Sequence, residues 1–213
     1  MSRKAHAFAL AALIAASLSF HHAVAAPTAL PVDQVGDVGQ ENAIAAGADG
    51  HPVVSYVAVN GGERSLKVAK CGSPDCSTGN VVTTVVGTGV DENGSIVVPA
   101  DGRPVLVYVQ TGHVRLMRCG NAACSSGNVT VTLNGDSSPD VVLGADGFPT
   151  VAATDSGAVQ FTKCLDASCA TTSTVTIAQA ALIGPLSMAI GVDGNPVMAM
   201  AVEGIGLRIG KCA

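Results

Sequence analysis

A four-residue motif, Asp-Gly-x-Pro, occurs four times in the 213-residue chain, and its repetition constrains the fold more than any other feature. Successive aspartates are 52, 45 and 47 residues apart. A second marker is a basic residue followed by cysteine, and its cysteine comes 18 to 22 residues after each aspartate. Two markers that recur together in four places indicate four copies of one structural unit. The units are centred on Asp49, Asp101, Asp146 and Asp193, and the second markers are Lys70-Cys71, Arg118-Cys119, Lys163-Cys164 and Lys211-Cys212.

Each unit has the pattern of four short β-strands. Apolar runs flank every Asp-Gly, which is a good hairpin signal because glycine adopts a positive φ without steric cost. An alternating run follows, as in Leu66-Lys67-Val68-Ala69, and then a run rich in Val and Thr, such as Val81 to Val86. Four strands in a repeat of this length are typical of a propeller blade. We therefore expect an all-β fold, a four-bladed β-propeller with four antiparallel strands in each blade.

The fourth unit ends after its third strand, and the start of the chain offers a replacement. Leu30 to Val35 precedes the first unit at the distance at which Val81 to Val86 precedes the second. We expect this segment to be the fourth strand of the last blade, which would close the ring. Pro31 suits such an edge strand, because an edge position tolerates a missing N–H. A larger ring formed by two chains is the alternative.

These markers resemble those of secreted bacterial proteins built from β-propeller repeats, in which an apolar strand, Asp-Gly-x-Pro, a second apolar strand and Leu-x-Val-x-Lys-Cys follow one another. The resemblance covers nearly all of the chain after residue 25. It implies the architecture but no chemistry, because propellers serve as enzymes, lectins and scaffolds alike.

Residues 1–25 have the pattern of a signal peptide. Arg3 and Lys4 precede an apolar stretch from Ala5 to Phe20, and Ala23-Val24-Ala25 is a cleavage site of the A-x-A type. Cleavage near Ala25 predicts one mature domain, residues 26–213, that is secreted or periplasmic. No apolar run reaches the roughly 20 residues that cross a bilayer, so we expect no membrane span. The formal net charge of −5 argues against a nucleic-acid partner.

Six of the seven cysteines form C-x4-C pairs at the turn between the third and fourth strands. In an exported protein such pairs indicate local disulfides, whereas a metal would find only two thiols and no histidine at each turn. The expected pairs are Cys71–Cys76, Cys119–Cys124 and Cys164–Cys169. Cys212 has no second cysteine after it and is expected to be an unpaired thiol; a mixed disulfide or a covalent dimer through Cys212 is the alternative.

Motifs for catalysis are scarce. His51 and His113 fall at opposite ends of a blade, and no Gly-x-Ser-x-Gly elbow is present. Tyr56 and Tyr108 share one second-strand position and are expected to pack between strands. We expect each aspartate of the repeated motif to pair with the basic residue before cysteine.

Acidic side chains are predicted to gather at the end of the blades opposite the Asp-Gly turns, with Arg64 as the one Lys or Arg there. Such a face attracts cations or a basic partner. The strongest candidate ligand is Asp140, and Asp91-Glu92-Asn93-Gly94 is a fragment of a calcium-loop pattern. The alternative is that these acids only keep the protein soluble. The acids of this end are Asp37, Glu41, Glu63, Asp91, Glu92, Asp136, Asp140, Asp155 and Glu203, and the candidate ligand- or cation-binding residues are Asp140, Asp91, Asn93, Glu63 and Glu203.

The sequence therefore predicts an exported binding or interaction module that uses an acidic face. Its partner is an unidentified protein or small ligand, with a basic partner or a divalent cation favoured. We expect no cofactor, with Ca²⁺ as the alternative. One alternative is an enzyme, a hydrolase or lyase, acting at the mouth of the central channel. Another is a structural component of a surface or matrix.

Overall fold

The computed structural model describes residues 29–179 and 184–211, and this part of the chain contains fifteen β-strands in four sheets, one for each sequence repeat. The all-β prediction is confirmed. Sheet I contains β1 (Asp37–Ala46), β2 (Pro52–Asn60), β3 (Glu63–Lys70) and β4 (Val81–Val86). Sheet II contains β5 (Val90–Val97), β6 (Val105–Gln110), β7 (His113–Arg118) and β8 (Val129–Thr132). Sheet III contains β9 (Ser137–Leu143), β10 (Pro149–Asp155), β11 (Ala158–Cys164) and β12 (Thr172–Gln179). Sheet IV contains β13 (Ser187–Ile190), β14 (Pro196–Val202) and β15 (Gly206–Lys211).

Strand order within every sheet follows chain order, and all neighbours are antiparallel. Each Asp-Gly motif forms the hairpin turn between the first and second strands of its sheet. The aspartate of the turn accepts a hydrogen bond from the N–H two residues later, as in Asp49 and His51 (3.0 Å). Gly50 has φ of 79°, a conformation that favours glycine and explains why the turn repeats this residue.

The core lies between consecutive sheets. Side chains of a strand alternate between the two faces of its sheet. We call the face that bears the residue directly after the motif proline the forward face. The opposite face, which bears the next residue along the strand, is the back face. The forward face of sheet I, with Val57 and Leu66, packs on the back face of sheet II, with Leu106 and Tyr108. The same forward-on-back packing joins sheet II to sheet III and sheet III to sheet IV. Among the described strands, those of sheets IV and I do not pack together in this way.

The prediction that Leu30 to Val35 forms the fourth strand of the last sheet is wrong. In the structure residues 30–35 are not in a strand, and sheet IV has the order β13-β14-β15. The segment lies instead on the back face of sheet I, where an Asp33 carboxylate oxygen accepts hydrogen bonds from the Tyr56 hydroxyl (2.7 Å) and the Lys67 ammonium (2.8 Å). This partly buried ion pair holds the segment on sheet I, and Pro31 has no N–H to offer to a strand ladder.

The three predicted disulfides, Cys71–Cys76, Cys119–Cys124 and Cys164–Cys169, are confirmed. Each closes the turn that leads into the fourth strand of its sheet. Cys212 and the predicted signal peptide lie outside the described residues. Within the described ranges, no helix is long and apolar enough to cross a membrane.

Replacing Asp33 by asparagine tests the anchor of the N-terminal segment. Partial burial raises the pKa of Asp33, but hydrogen bonds from Lys67, the Val35 N–H and Tyr56 outweigh it and hold the pKa at about 2. A lowered pKa stabilises the folded state above the unfolded value of 3.8, and this contribution is lost as the pH falls towards 2. We expect Asp33→Asn to lower the free energy of unfolding by about 1–2 kcal/mol at pH 7, measured by urea denaturation.

The difference between Asp33→Asn and the unmodified protein should shrink when the measurement is repeated at pH 2. Asp37→Asn is the control, since Asp37 is exposed and bonds only to the Gln40 side chain. If Asp33→Asn lowered the free energy of unfolding by the same amount at both pH values, the result would contradict the assigned ion pair.

Candidate functional site

The Asp-Gly end of the molecule is close to electrically neutral, because every motif aspartate is paired within its own sheet. Lys70 Nζ lies 2.9 Å from Asp49 Oδ2, Lys163 Nζ lies 2.7 Å from Asp146 Oδ1, and Lys211 Nζ lies 2.6 Å from Asp193 Oδ2. Asp101 pairs in the same way with Arg118. The predicted pairing of aspartate with the basic residue before cysteine is confirmed in all four repeats.

The paired motif aspartates are difficult to protonate. The Lys70 ammonium lowers the pKa of Asp49, and the Lys163 ammonium lowers that of Asp146. Hydrogen bonds from Lys211 and the Asn195 N–H hold the pKa of Asp193 at about 2. These aspartates therefore remain ionised and paired across the physiological pH range.

The opposite end, which we call the acidic end, holds nine Asp and Glu residues. Arg64 is the basic residue at the start of its hairpins, while Lys67, Arg115 and Arg208 lie further along the third strands. Strand directions place the acids there: the first strands and third strands begin at this end, and the second strands finish at it. Arg64 pairs with Glu41, with Nη2 2.6 Å from Oε1, and its Nε donates to the Val90 carbonyl at 3.0 Å. The other acids have no Lys or Arg partner among residues 29–179 and 184–211.

Two glutamates of the acidic end hold neighbouring sheets together. Glu41 in β1 accepts a hydrogen bond from the Asn93 N–H in β5 at 2.9 Å, and Glu92 in β5 accepts one from the Ser138 N–H in β9 at 2.9 Å. Strand pairing is irregular at these points, and Glu41 and Ser138 have positive φ values of 45° and 50°. A bulge leaves N–H groups outside the ladder, and these carboxylates satisfy them.

Asp140, the strongest candidate from the sequence, bridges three sheets. Its Oδ1 accepts a hydrogen bond from Ser95 Oγ in sheet II at 2.5 Å, and its Oδ2 accepts one from the Met188 N–H in sheet IV at 2.6 Å. Both carboxylate oxygens of Asp140 are thus engaged by donors from the neighbouring sheets.

The other candidate ligands are dispersed. Asp91 Oδ2 accepts a hydrogen bond from the Gly112 N–H at 2.7 Å. Asn93 is buried and donates to the Glu41 carbonyl and Ser55 Oγ, while its Oδ1 has no hydrogen-bond partner. Glu63 and Glu203 are exposed in the hairpins of sheets I and IV.

The five candidate residues therefore do not form one cluster. Within residues 29–179 and 184–211, no group of three or more His, Cys, Asp or Glu side chains is arranged to hold a metal ion. Binding of a cation by Asp140, Asp91, Asn93, Glu63 or Glu203 stays a prediction. His51 and His113 lie at opposite ends, as expected, and Tyr56 and Tyr108 are buried in strands.

An open cleft of about 410 Å³ lies at the acidic end beside Glu92. Burial raises the pKa of Glu92, the Ser138 N–H opposes that rise, and the negative charge of Glu41 adds to it. No sequence motif indicates this cleft, because its hydroxyl groups come from the bulged start of β9 and the end of β10. The cleft is lined by Glu92, Ser137, Ser138, Thr154, Gly157, Gly184 and Pro185.

Comparison with known proteins shows distant structural similarity. No protein-family model matches the sequence, and no curated protein matches it. The chain is similar to the crystal structure of endo-arabinase from Bacteroides thetaiotaomicron VPI-5482, with a TM-score of 0.45 and 14% sequence identity. The similarity covers 83% of this chain and 74% of that chain. At this distance it assigns no activity to the chain.

Truncating Asp140 tests its role between the sheets. Asp140→Ala leaves the partly buried Met188 N–H without its acceptor, which typically costs about 2 kcal/mol. We expect that loss in the free energy of unfolding measured with urea. Asp155→Ala is the matched control at the same end, because Asp155 makes no such bond to a neighbouring sheet, and it should cost about 0.5 kcal/mol or less. Equal losses in the two variants would show that Asp140 does not bridge the sheets.

Proposed function

We propose that this chain is an exported binding module that presents its acidic end to a positively charged macromolecular partner. The observation that carries the proposal is the difference in charge pairing: motif aspartates at one end are all paired with Lys or Arg, whereas of the nine acids at the other end Glu41 alone is paired with a Lys or Arg within the described residues. An excess of one charge on one face raises the local concentration of the opposite charge and speeds association with it. Three disulfides are consistent with an oxidising compartment outside the cytosol.

The repeated forward-on-back packing supports a propeller arrangement of the sheets. In a propeller the first strand of each blade lines the central channel. The glutamates of β1 and β5 and Asp140 of β9 would then surround the mouth of that channel. The acidic end would present a ring of carboxylates with the exposed hairpins outside it.

A partner with several basic groups suits this surface better than a single metal ion. Oxygens of Glu41, Glu92 and Asp140 already accept hydrogen bonds from neighbouring sheets. Glu63, Asp155 and Glu203 make no such bond and lie in hairpins of different sheets. Lysine and arginine side chains on an extended partner can reach separated carboxylates, whereas one ion needs its ligands within a few ångströms.

Neutralising the acids that do not hold sheets together tests the proposal. We expect the triple variant Glu63→Gln, Asp155→Asn, Glu203→Gln to bind a ten-residue polylysine peptide about tenfold more weakly than the unmodified protein at low salt. Titration calorimetry measures this. Binding by the unmodified protein should weaken as ionic strength rises, because exposed charges are screened.

The matched control adds the same amount of positive charge at the opposite end. Thr78→Lys, Ala122→Lys and Ala170→Lys change exposed residues beside the disulfide turns. If this control weakens peptide binding as much as the acidic-end variant does, net charge rather than the acidic end is responsible. Calcium chloride alone is the second probe, and saturable Ca²⁺ binding that depends on Asp140 would favour a cation site instead.

A hydrolase or lyase at the mouth of the channel is the second candidate, and Glu92 favours it. A carboxyl group with a raised pKa in an open cleft, next to a second carboxylate, is a common arrangement for general acid catalysis. We expect an enzyme of this kind to release reducing ends from a polysaccharide panel and to lose at least 100-fold in rate with Glu92→Gln. The matched control Glu63→Gln should retain full activity. Absence of release from the whole panel, or equal activity of Glu92→Gln, would remove this candidate.

A further inference from the structure

The forward face of sheet IV has the residues of an interior interface but is uncovered. Leu207 and Ile209 in β15 are 76% and 65% exposed. Side chains at the same positions in the other sheets are buried, and their exposure is between 0% and 9%. These equivalents are Leu66 and Val68 in sheet I, Val114 and Leu116 in sheet II, and Val159 and Phe161 in sheet III.

On the back face of sheet I, the innermost strand β1 is also uncovered, unlike the first strands of the other sheets. Ile44 in β1 is 68% exposed. Its equivalents in sheets II, III and IV, which are Ile96, Val141 and Met188, are 4%, 3% and 9% exposed. Sheet IV therefore has a free forward face, and the back face of sheet I is free at its innermost strand, while its Tyr56 is covered and bonded to Asp33 of the N-terminal segment.

These two faces match because their equivalents contact each other everywhere else. Leu66 and Val68 share a core cluster with Ile96. The corresponding forward-face pairs of sheets II and III share clusters with Val141 and Met188 respectively. A fourth copy of the same interface would join Leu207 and Ile209 to Ile44.

We propose that the forward face of sheet IV binds the back face of sheet I of a second copy of this chain. Leu207, Ile209 and Ile44 are exposed within one chain, so residues 29–179 and 184–211 do not cover them. Two copies arranged head to tail satisfy both faces at once and close a two-fold ring of eight sheets. Head-to-tail contacts either close in this way or continue as open fibres. The proposal does not depend on the function assigned to the acidic end.

The N-terminal segment leaves room for this contact. Asp33 fixes it over Tyr56 and Lys67, on the second and third strands of the back face. Ile44, on the innermost strand, stays exposed, and Leu30 of the segment is itself 45% exposed. The partner's sheet IV would therefore meet an apolar surface formed by β1 and the segment.

Sedimentation equilibrium of the mature chain, residues 26–213, measures the association. Cys212→Ser in every sample removes any contribution from an intermolecular disulfide. We expect a dimer at micromolar concentrations, and the double variant Leu207→Lys, Ile209→Lys should raise the dissociation constant about 100-fold or more. Both residues are exposed in one chain, so the substitutions should leave the fold intact, which circular dichroism checks. Val129→Lys with Val175→Lys, exposed apolar residues of β8 and β12, is the matched control and should not change the dissociation constant.

Mixing two defective variants tests the head-to-tail arrangement itself. Ile44→Glu disables the back face of sheet I and should also be monomeric on its own. Mixed with the Leu207→Lys, Ile209→Lys variant, it should form a heterodimer, because one native interface is restored and the other gains opposite charges. A monomeric unmodified chain, a dimer insensitive to Leu207 and Ile209, or a mixture that stays monomeric would overturn the proposal.

Discussion

Packing of one sheet on the next is the interaction on which the rest of this structure depends, because a single sheet has no core of its own. Sheet II shows the consequence most clearly, since it is covered on both sides. All residues of β6 from Val105 to Val109 are buried, whichever face they point to, and these five residues are Val, Leu and Tyr. In β15, with a free forward face, Leu207 and Ile209 are exposed instead. A residue in this protein is buried when a neighbouring sheet covers its face. The repeat places the same kinds of apolar residue on covered and on free faces.

Close approach of sheets II and III also explains the residues at the start of β5. A Cβ atom at Gly94 would collide with the carbonyl of Pro139 in the next sheet, so the glycine of Asp91-Glu92-Asn93-Gly94 is explained by packing. The neighbouring Glu92 accepts a backbone N–H from β9. A fragment with the composition of a calcium loop thus serves the interface between sheets II and III. The number of acids at this end overstates how many are free to meet a partner.

Sequence reasoning succeeded where contacts are short in range or repeated. The hairpins, the disulfides and the pairs of aspartate with Lys or Arg join residues of one repeat, and three or four copies of each pattern made them visible. It failed for Leu30 to Val35, because spacing alone suggested a strand whereas a tertiary ion pair between Asp33 and Lys67 fixes the segment elsewhere. It also missed the beginnings of β1, β5 and β9. Those stretches are polar and bulged, so they lack the apolar alternation that indicates a strand, and their glutamates could not be assigned to neighbouring sheets.

Asp193 at the Asp-Gly end and Glu92 at the acidic end have pKa shifts in opposite directions. At the Asp-Gly end the pKa of Asp193 is lowered to about 2, so its pairing stabilises the fold above the unfolded value of 3.8 and is lost in stronger acid. At the acidic end the pKa of Glu92 is raised, so the fold bears a cost when Glu92 is ionised, and that cost disappears as the pH falls through its pKa. A positively charged partner on the acidic end would favour the ionised form of Glu92 and offset this cost. Binding of a basic partner would therefore be linked to release of the proton from Glu92. The affinity for such a partner would increase as the pH rises through the pKa of Glu92.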